Sequence, residues 1–168
     1  MSVSIYQPPS PILNKHNLDS FDCGVSSLNE WLKRRARNNE ERGASRTYVV
    51  CDKQNNVLGY YSLANGSVIL NEAPKKLRRS MPDPIPVMII GRLAIDLDYQ
   101  RKGLGRGLLR DAVSRVLKAG EIAGIRAILL HAISEEAKNF YKENGFLECP
   151  FNKMMVMLPI KPVNKNAQ

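Results

Sequence analysis

VMIIGRLAIDLDYQRKGLGRGLL, from Val87 to Leu109, decides the fold. Val87 to Ile90, continued by Leu93, Ala94 and Ile95, is an apolar run rich in β-branched residues and reads as a buried strand. A polar turn follows at Asp96 to Tyr99, and then Gln100-Arg101-Lys102-Gly103-Leu104-Gly105-Arg106-Gly107. Apolar residues return at Leu104, Leu108, Leu109, Ala112, Val116 and Leu117, which mark one face of a helix. The order is strand, glycine-rich turn, helix.

That order suits a phosphate. The first turn of a helix has backbone N–H groups without partners inside the helix, and the macrodipole adds partial positive charge there. Glycines let an anion approach those groups closely, and Arg101, Lys102 and Arg106 add full charges. No GxxxxGK[ST] is present, which excludes a P-loop. G-x-G-x-x-G fails as well, because Leu108 stands three residues past Gly105. Q-x-x-G-x-G does fit, as Gln100, Gly103 and Gly105 directly after a strand. This resembles the pyrophosphate-binding motif of the GCN5-related N-acetyltransferases (GNATs), which hold acetyl-coenzyme A.

Composition bounds the alternatives. At 168 residues the chain has the size of one ordinary domain, read as residues 1–160 with a flexible tail at 161–168. No apolar run approaches the roughly 18 residues of a membrane span, and MSVSIYQPPS lacks a signal-peptide core. The expectation is a soluble cytoplasmic protein. Cys23, Cys51 and Cys149 form no CxxC, and His16 and His131 are far apart, so neither a disulfide framework nor a metal site is expected. Lys and Arg total 25 against 16 Asp and Glu, a net charge of +9. Such an excess favours polyanionic partners, nucleic acid above all.

The remaining elements follow in chain order. The first twenty residues, with Pro8, Pro9 and Pro11, read as an extended arm and loop. Val25, Leu28, Trp31, Leu32 and Ala36 keep the helical period, with Ser26 or Ser27 as cap, Glu30 completing a capping box, and Gly43 as the end. Lys33, Arg34, Arg37 and Arg42 on the other face are either a solvated face or a nucleic-acid contact. Arg46–Cys51 and Val57–Ala64 read as a hairpin around Asp52–Asn56, with Ser67–Leu70 as a possible extension of the sheet. Asn71–Pro86 holds four prolines with Lys75, Lys76, Arg78 and Arg79, and reads as an exposed loop or short helix that contacts a polyanion. Ile125–Ala132 is a further buried strand. A helix capped by Ser134 follows, ending at Asn144-Gly145, and strand segments at Phe146-Leu147 and Met154–Leu158 close the chain.

The resemblance extends beyond the glycine turn. Asn139–Phe146, NFYKENGF, is similar to the A-x-x-F-Y-x-x-x-G-F ending of the family. Gly43–Thr47, Tyr60–Ala64, Arg79–Pro86 and Gly91–Ala94 resemble the acetyltransferase toxins of bacterial toxin–antitoxin pairs, which acetylate the amino group of an amino acid carried on tRNA. The resemblance covers about Cys23 to Leu158. It implies an α/β GNAT fold whose mixed central sheet is splayed at the acetyl-CoA strand and flanked by helices. It implies cofactor contacts at Leu93, Ala94, Ile95, Arg101, Lys102, Gly103, Leu104, Gly105, Arg106, Gly107, Ala132 and Phe140. It also implies a homodimer, and a ribbon-helix-helix antitoxin that neutralises the toxin.

The chemistry is consistent with those residues. Acetyl transfer from a thioester needs a neutral amine, a stabilised carbonyl oxygen and a proton for the departing thiolate. An α-amino group titrates at about 7.7–8.0, and an ester on its carboxyl lowers that further. A strong general base is therefore not obligatory, and His131 reads as a strand-end residue rather than a base. Backbone N–H groups around Leu93 to Ile95 suit the oxyanion. A phenol is protonated at neutral pH and similar in acidity to a thiol, and the resemblance implies that Tyr141 is the proton donor. Lys33, Arg78, Arg79 and Arg92 are the candidate tRNA contacts. The rival readings are an acetyltransferase for a small amine or protein amino group, and a non-catalytic RNA- or CoA-binding module.

Overall fold

A computed structural model of the protein describes residues 6–161. Most of the expected tail at 161–168, and the first five residues of the N-terminal arm, lie outside the described residues. In chain order the elements are β1 (Ser10–Pro11), α1 (Ser26–Arg34), α2 (Ala36–Glu41), β2 (Arg46–Cys51), β3 (Val57–Val68), α3 (Lys75–Arg78) and β4 (Ile85–Ile95). They continue with α4 (Leu104–Ile122), β5 (Ala127–His131), α5 (Glu135–Glu143), β6 (Leu147–Glu148) and β7 (Met155–Pro159). The seven strands form one mixed sheet in the order β1-β2-β3-β4-β5-β7-β6. The expected α/β class and the strand–turn–helix order are both present. The chain divides into two compact units, each described in turn below.

Met1–Ala64 and Gly91–Ala112 make the first unit. The β2–β3 hairpin is antiparallel from Arg46↔Leu63 to Cys51↔Val57, and its turn is held by Asp52, whose Oδ1 accepts from Gln54 N–H at 2.9 Å and Asn56 N–H at 3.0 Å. Gly59 is where the turn-to-helix segment packs down: a Cβ there would stand 2.8 Å from Ile95 Cδ1 and 3.0 Å from Leu108 Cδ1. A side chain there would push those methyls aside. Tyr61, fully buried in β3, ties the same helix by donating a short hydrogen bond to Asp111 Oδ2. The core on the α1 side gathers Phe21, Trp31, Leu32, Ala36, Val49, Tyr60 and Ala94.

Two details of α1 depart from the expectation. Neither Ser26 nor Ser27 caps it; Val25 occupies the cap position without a side-chain bond. Asn29 ties the helix to the segment before it, its Oδ1 accepting from Cys23 N–H at 2.8 Å while its Nδ2 donates to Asp22 Oδ1 at 2.9 Å. The single helix expected up to Gly43 is also broken, because Arg35 leaves helical geometry at φ −118° between α1 and α2. Arg37, expected on a free basic face, donates from Nη2 to the carbonyls of Leu13 at 3.1 Å and His16 at 2.6 Å.

Asn65–Ile90 and Val113–Gln168 make the second unit. β4 and β5 run parallel with Val87↔Ala127 through Ile90↔Leu130 in register, and β5 pairs antiparallel with β7 from Ala127↔Pro159 to His131↔Met155. β6 pairs with β7, so the last strand is inserted between its two predecessors. Ser134 caps α5 as expected, accepting from Ala137 N–H at 3.0 Å, and Gly145 closes it. Lys138, buried, and Lys142 each reach Glu148 Oε1 at 2.9 Å. Those bonds, Lys138 first, hold the Glu148 carboxyl down at about 2. Leu117, expected on the buried face of α4, is 45 % exposed, because the buried stripe narrows to Val116 there.

Candidate active site

The glycine turn is built by side chains that hold its ends and leave its amides open. Asp96 accepts from Asp98 N–H at 3.0 Å and from Asp22 N–H at 3.1 Å, shaping a one-turn 3-10 helix at Leu97–Tyr99. Gln100 then donates from Nε2 to the carbonyl of Ile95 at 2.9 Å and that of Cys23 at 3.1 Å. The first residue of the motif is thus a brace between the end of β4 and the approach to α1. Arg101 and Gly103 take left-handed backbone at φ +62° and +83°. Alternation of this kind turns successive N–H groups into a concave anion cradle.

The first intrahelical bond of α4 runs from Gly107 N–H to Gly103 C=O at 3.1 Å. The amides of Leu104, Gly105 and Arg106 therefore precede any acceptor within the helix. Around this first turn the surface is open: a Cβ at Gly103 or Gly107 would meet no atom within 4 Å. Arg101, Lys102 and Arg106 are all exposed, with the Lys102 ammonium 5.5 Å from the Tyr99 ring centroid. Of the strand residues expected to serve the cofactor, Ala94 and Ile95 are buried and Leu93 half-buried.

Lys33 and Arg92 belong to the same unit. Lys33 is exposed in the last turn of α1. The Arg92 guanidinium lies 4.2 Å above the Trp31 ring, and burial lowers its pKa. Sequence reasoning placed Trp31 in the core and did not join it to Arg92, 61 positions away; the signal was a lone tryptophan on a helix otherwise faced by Val, Leu and Ala.

In the second unit, Tyr141 is buried on α5, its ring 5.4 Å from Phe140 and 5.7 Å from Phe146 by centroids. Desolvation alone pushes its phenol up to about 12, above the ordinary range assumed from sequence. Ala132 is buried just past β5, its N–H donating to Met154 O at 2.8 Å. His131 is an exposed strand end. Arg79 is exposed and Arg78 half-buried. Its Nε donates to Ala73 O at 2.7 Å and its Nη2 to Asn71 O at 3.1 Å. No group of three or more His, Cys, Asp or Glu among the described residues is placed to hold a metal ion. No helix among them is long and apolar enough to cross a membrane.

A strand, a braced glycine turn and a helix N-terminus in a mixed α/β sheet make a site suited to a phosphate-bearing ligand. The description "Acetyltransferase (GNAT) domain" matches residues 44–148, and the chain belongs to that family of acetyltransferases. It is 42% identical over 159 residues to a tRNA-acetylating toxin of Mycobacterium tuberculosis (strain ATCC 25618 / H37Rv), covering 95% of each chain. In structure it is similar to AtaT complexed with acetyl-methionyl-tRNAfMet, with a TM-score of 0.85 and 28% identity over 92% of this chain and 94% of that one. A mutant AtaT toxin bound to the C-terminus of the antitoxin AtaR and acetyl-CoA matches with a TM-score of 0.79 and 27% identity, covering 93% and 94%.

Proposed function

We propose that this acetyltransferase moves an acetyl group from acetyl-CoA to the α-amino group of an aminoacyl-tRNA in the cytoplasm, and so stops translation. The observation that carries the reading is the open glycine turn, with its unpartnered amides and three exposed cations, in a chain 42% identical to a tRNA-acetylating toxin. The pyrophosphate is held by the amides of Leu104, Gly105 and Arg106 and the charges of Arg101, Lys102 and Arg106, with Gly103 and Gly107 leaving room for its approach. Acetyl-CoA supplies the acetyl group as an activated thioester. Main-chain N–H groups of the Leu93–Ile95 strand serve the carbonyl oxygen as it gains charge.

Tyr141 hands its phenolic proton to the departing sulfur. Its raised pKa keeps it fully protonated at neutral pH. Taken alone that rise makes the phenol a poorer acid. The sulfur leaves in the same dry surroundings, however, and desolvation raises the pKa of a thiol as it does that of a phenol. The gap between donor and acceptor stays small, so transfer in concert with C–S cleavage is feasible. Ala132 and Phe140 line the cofactor, and Lys33, Arg78, Arg79 and Arg92 face the nucleic acid. The active form is a homodimer, silenced by a ribbon-helix-helix antitoxin.

Incubation with acetyl-labelled acetyl-CoA and total charged tRNA, followed by mass analysis of the aminoacyl ends, tests this. Label on one or a few aminoacyl species is expected, falling roughly 10²- to 10⁴-fold in Tyr141→Phe with cofactor binding retained. Label on no tRNA, with cofactor still bound, overturns the reading.

A further inference from the structure

Five polar or charged side chains are buried among the described residues: His16, Thr47, Ser62, Asp96 and Lys138. Three have partners that account for their burial. His16 Nδ1 accepts from Leu13 N–H at 2.9 Å, Asp96 accepts from the N–H groups of Asp22 and Asp98, and Lys138 pairs with Glu148. The other two are neighbours. Thr47 and Ser62 stand opposite each other in the β2–β3 ladder, and neither hydroxyl has a hydrogen-bond partner among the described residues. A buried hydroxyl left unpaired costs free energy that an incoming polar group recovers.

An opening leads to them. Gly91 is exposed and lies on β4 one residue past Ile90↔Leu130, the last pair of the ladder with β5. Apart from its chain neighbours, a Cβ on Gly91 would meet one atom within 4 Å, Ser62 Oγ at 3.1 Å. The space over Gly91 is therefore a niche with a hydroxyl as its floor. Along the strand it stands two residues before Leu93, about 7 Å from the start of the main-chain segment that serves the acetyl carbonyl.

The chemistry of the floor selects its occupant. An attacking amine must be neutral, and it must turn its lone pair to the carbonyl while an N–H points elsewhere. A carboxylate in this place would hold the amine as an ammonium ion. A neutral hydroxyl accepts from the N–H without doing so, and its own proton has the unpartnered oxygen of Thr47 to turn to. We infer that Ser62 Oγ, reached over Gly91, accepts a hydrogen bond from the α-amino group of the aminoacyl end and so aims the amine at the thioester. Gly91 keeps the path open. The inference deepens the aminoacyl-tRNA reading and rests on it.

Initial rates of acetylation of charged tRNA are measured for the full protein and for Ser62→Ala, Ser62→Thr and Gly91→Ala, each shown folded by thermal denaturation. Affinity for coenzyme A is read by calorimetry, and affinity for uncharged tRNA by anisotropy. Ser62→Ala should lower kcat/KM about tenfold for every aminoacyl species, with both affinities unchanged. Ser62→Thr keeps the hydroxyl and should restore most of the rate. Gly91→Ala, which fills the niche, should lower the rate at least as much as Ser62→Ala. A Ser62→Ala variant that acetylates like the parent overturns the inference while the aminoacyl-tRNA reading stands. So does one that keeps the best rate but changes the preference among aminoacyl species, which gives the niche to the amino-acid side chain. Loss of coenzyme A affinity in Gly91→Ala gives it to the cofactor and overturns the inference as well. A parent protein that acetylates no charged tRNA overturns both.

Discussion

Two segments of this chain look alike on paper: Gln100–Gly107, with three cations among glycines, and Asn71–Pro86, with four among prolines. They differ in what holds the backbone. In the first, side chains at the ends, Asp96 and Gln100, hold the backbone, and the cations project into solvent. In the second, one of the cations is the brace. Arg78 closes the loop on the carbonyls of Ala73 and Asn71 over a buried Leu77, and Leu70 N–H donates to Asp83 Oδ1 at 2.9 Å. A cation in a sequence can serve the fold's own acceptors as well as a ligand. Lys138 and Lys142, both committed to Glu148, make the same point in α5.

The comparison can be broken most sharply at Arg78. Arg78→Ala should cost about 2 kcal/mol, by stranding two carbonyls that now accept from a charged donor, and lower the thermal midpoint by roughly 5 °C. A variant of unchanged stability with impaired tRNA binding would show Arg78 to be a ligand group after all. Gly103→Ala comes next. With φ at +83°, a side chain strains the turn by about 1 kcal/mol, read in urea unfolding, and acetyl-CoA affinity should fall with it in calorimetry.

Gly107→Ala separates stability from binding. Nothing lies within 4 Å of the added methyl, so the helix should gain up to about 1 kcal/mol while acetyl-CoA binds more weakly. Gains in both would mean that the first turn of α4 does not carry the phosphate. Arg79→Ala is the mildest. Its stability should stay within about 0.5 kcal/mol, and the salt dependence of tRNA binding should lose roughly one unit of slope.

The strand–turn–helix core was legible because its signals are local: a β-branched run, glycines, and a helical period through Leu108, Leu109 and Ala112. The Ser134 cap and Gly145 stop were legible for the same reason. What escaped depends on partners far along the chain or on main-chain acceptors, which residue types do not advertise. Asn29 bonds back to Cys23 and Asp22, ahead of the helix, and Arg37 and Arg78 donate to main-chain carbonyls. Trp31 and Arg92 meet only once α1 packs on β4. The glycine turn was thus readable from local residue types, and the long-range side-chain contacts around it were not.

The insertion of β7 between β5 and β6 carries a consequence for biosynthesis. The slot beside Ala127–His131 is filled by Met155–Pro159, nearly the last described residues to be made. Until that strand emerges from the ribosome, β5 keeps a row of unpaired backbone groups on one side, and β6 lacks the neighbour that orders it. A chain that stops before Met155 cannot complete the sheet beneath α5, which carries Tyr141.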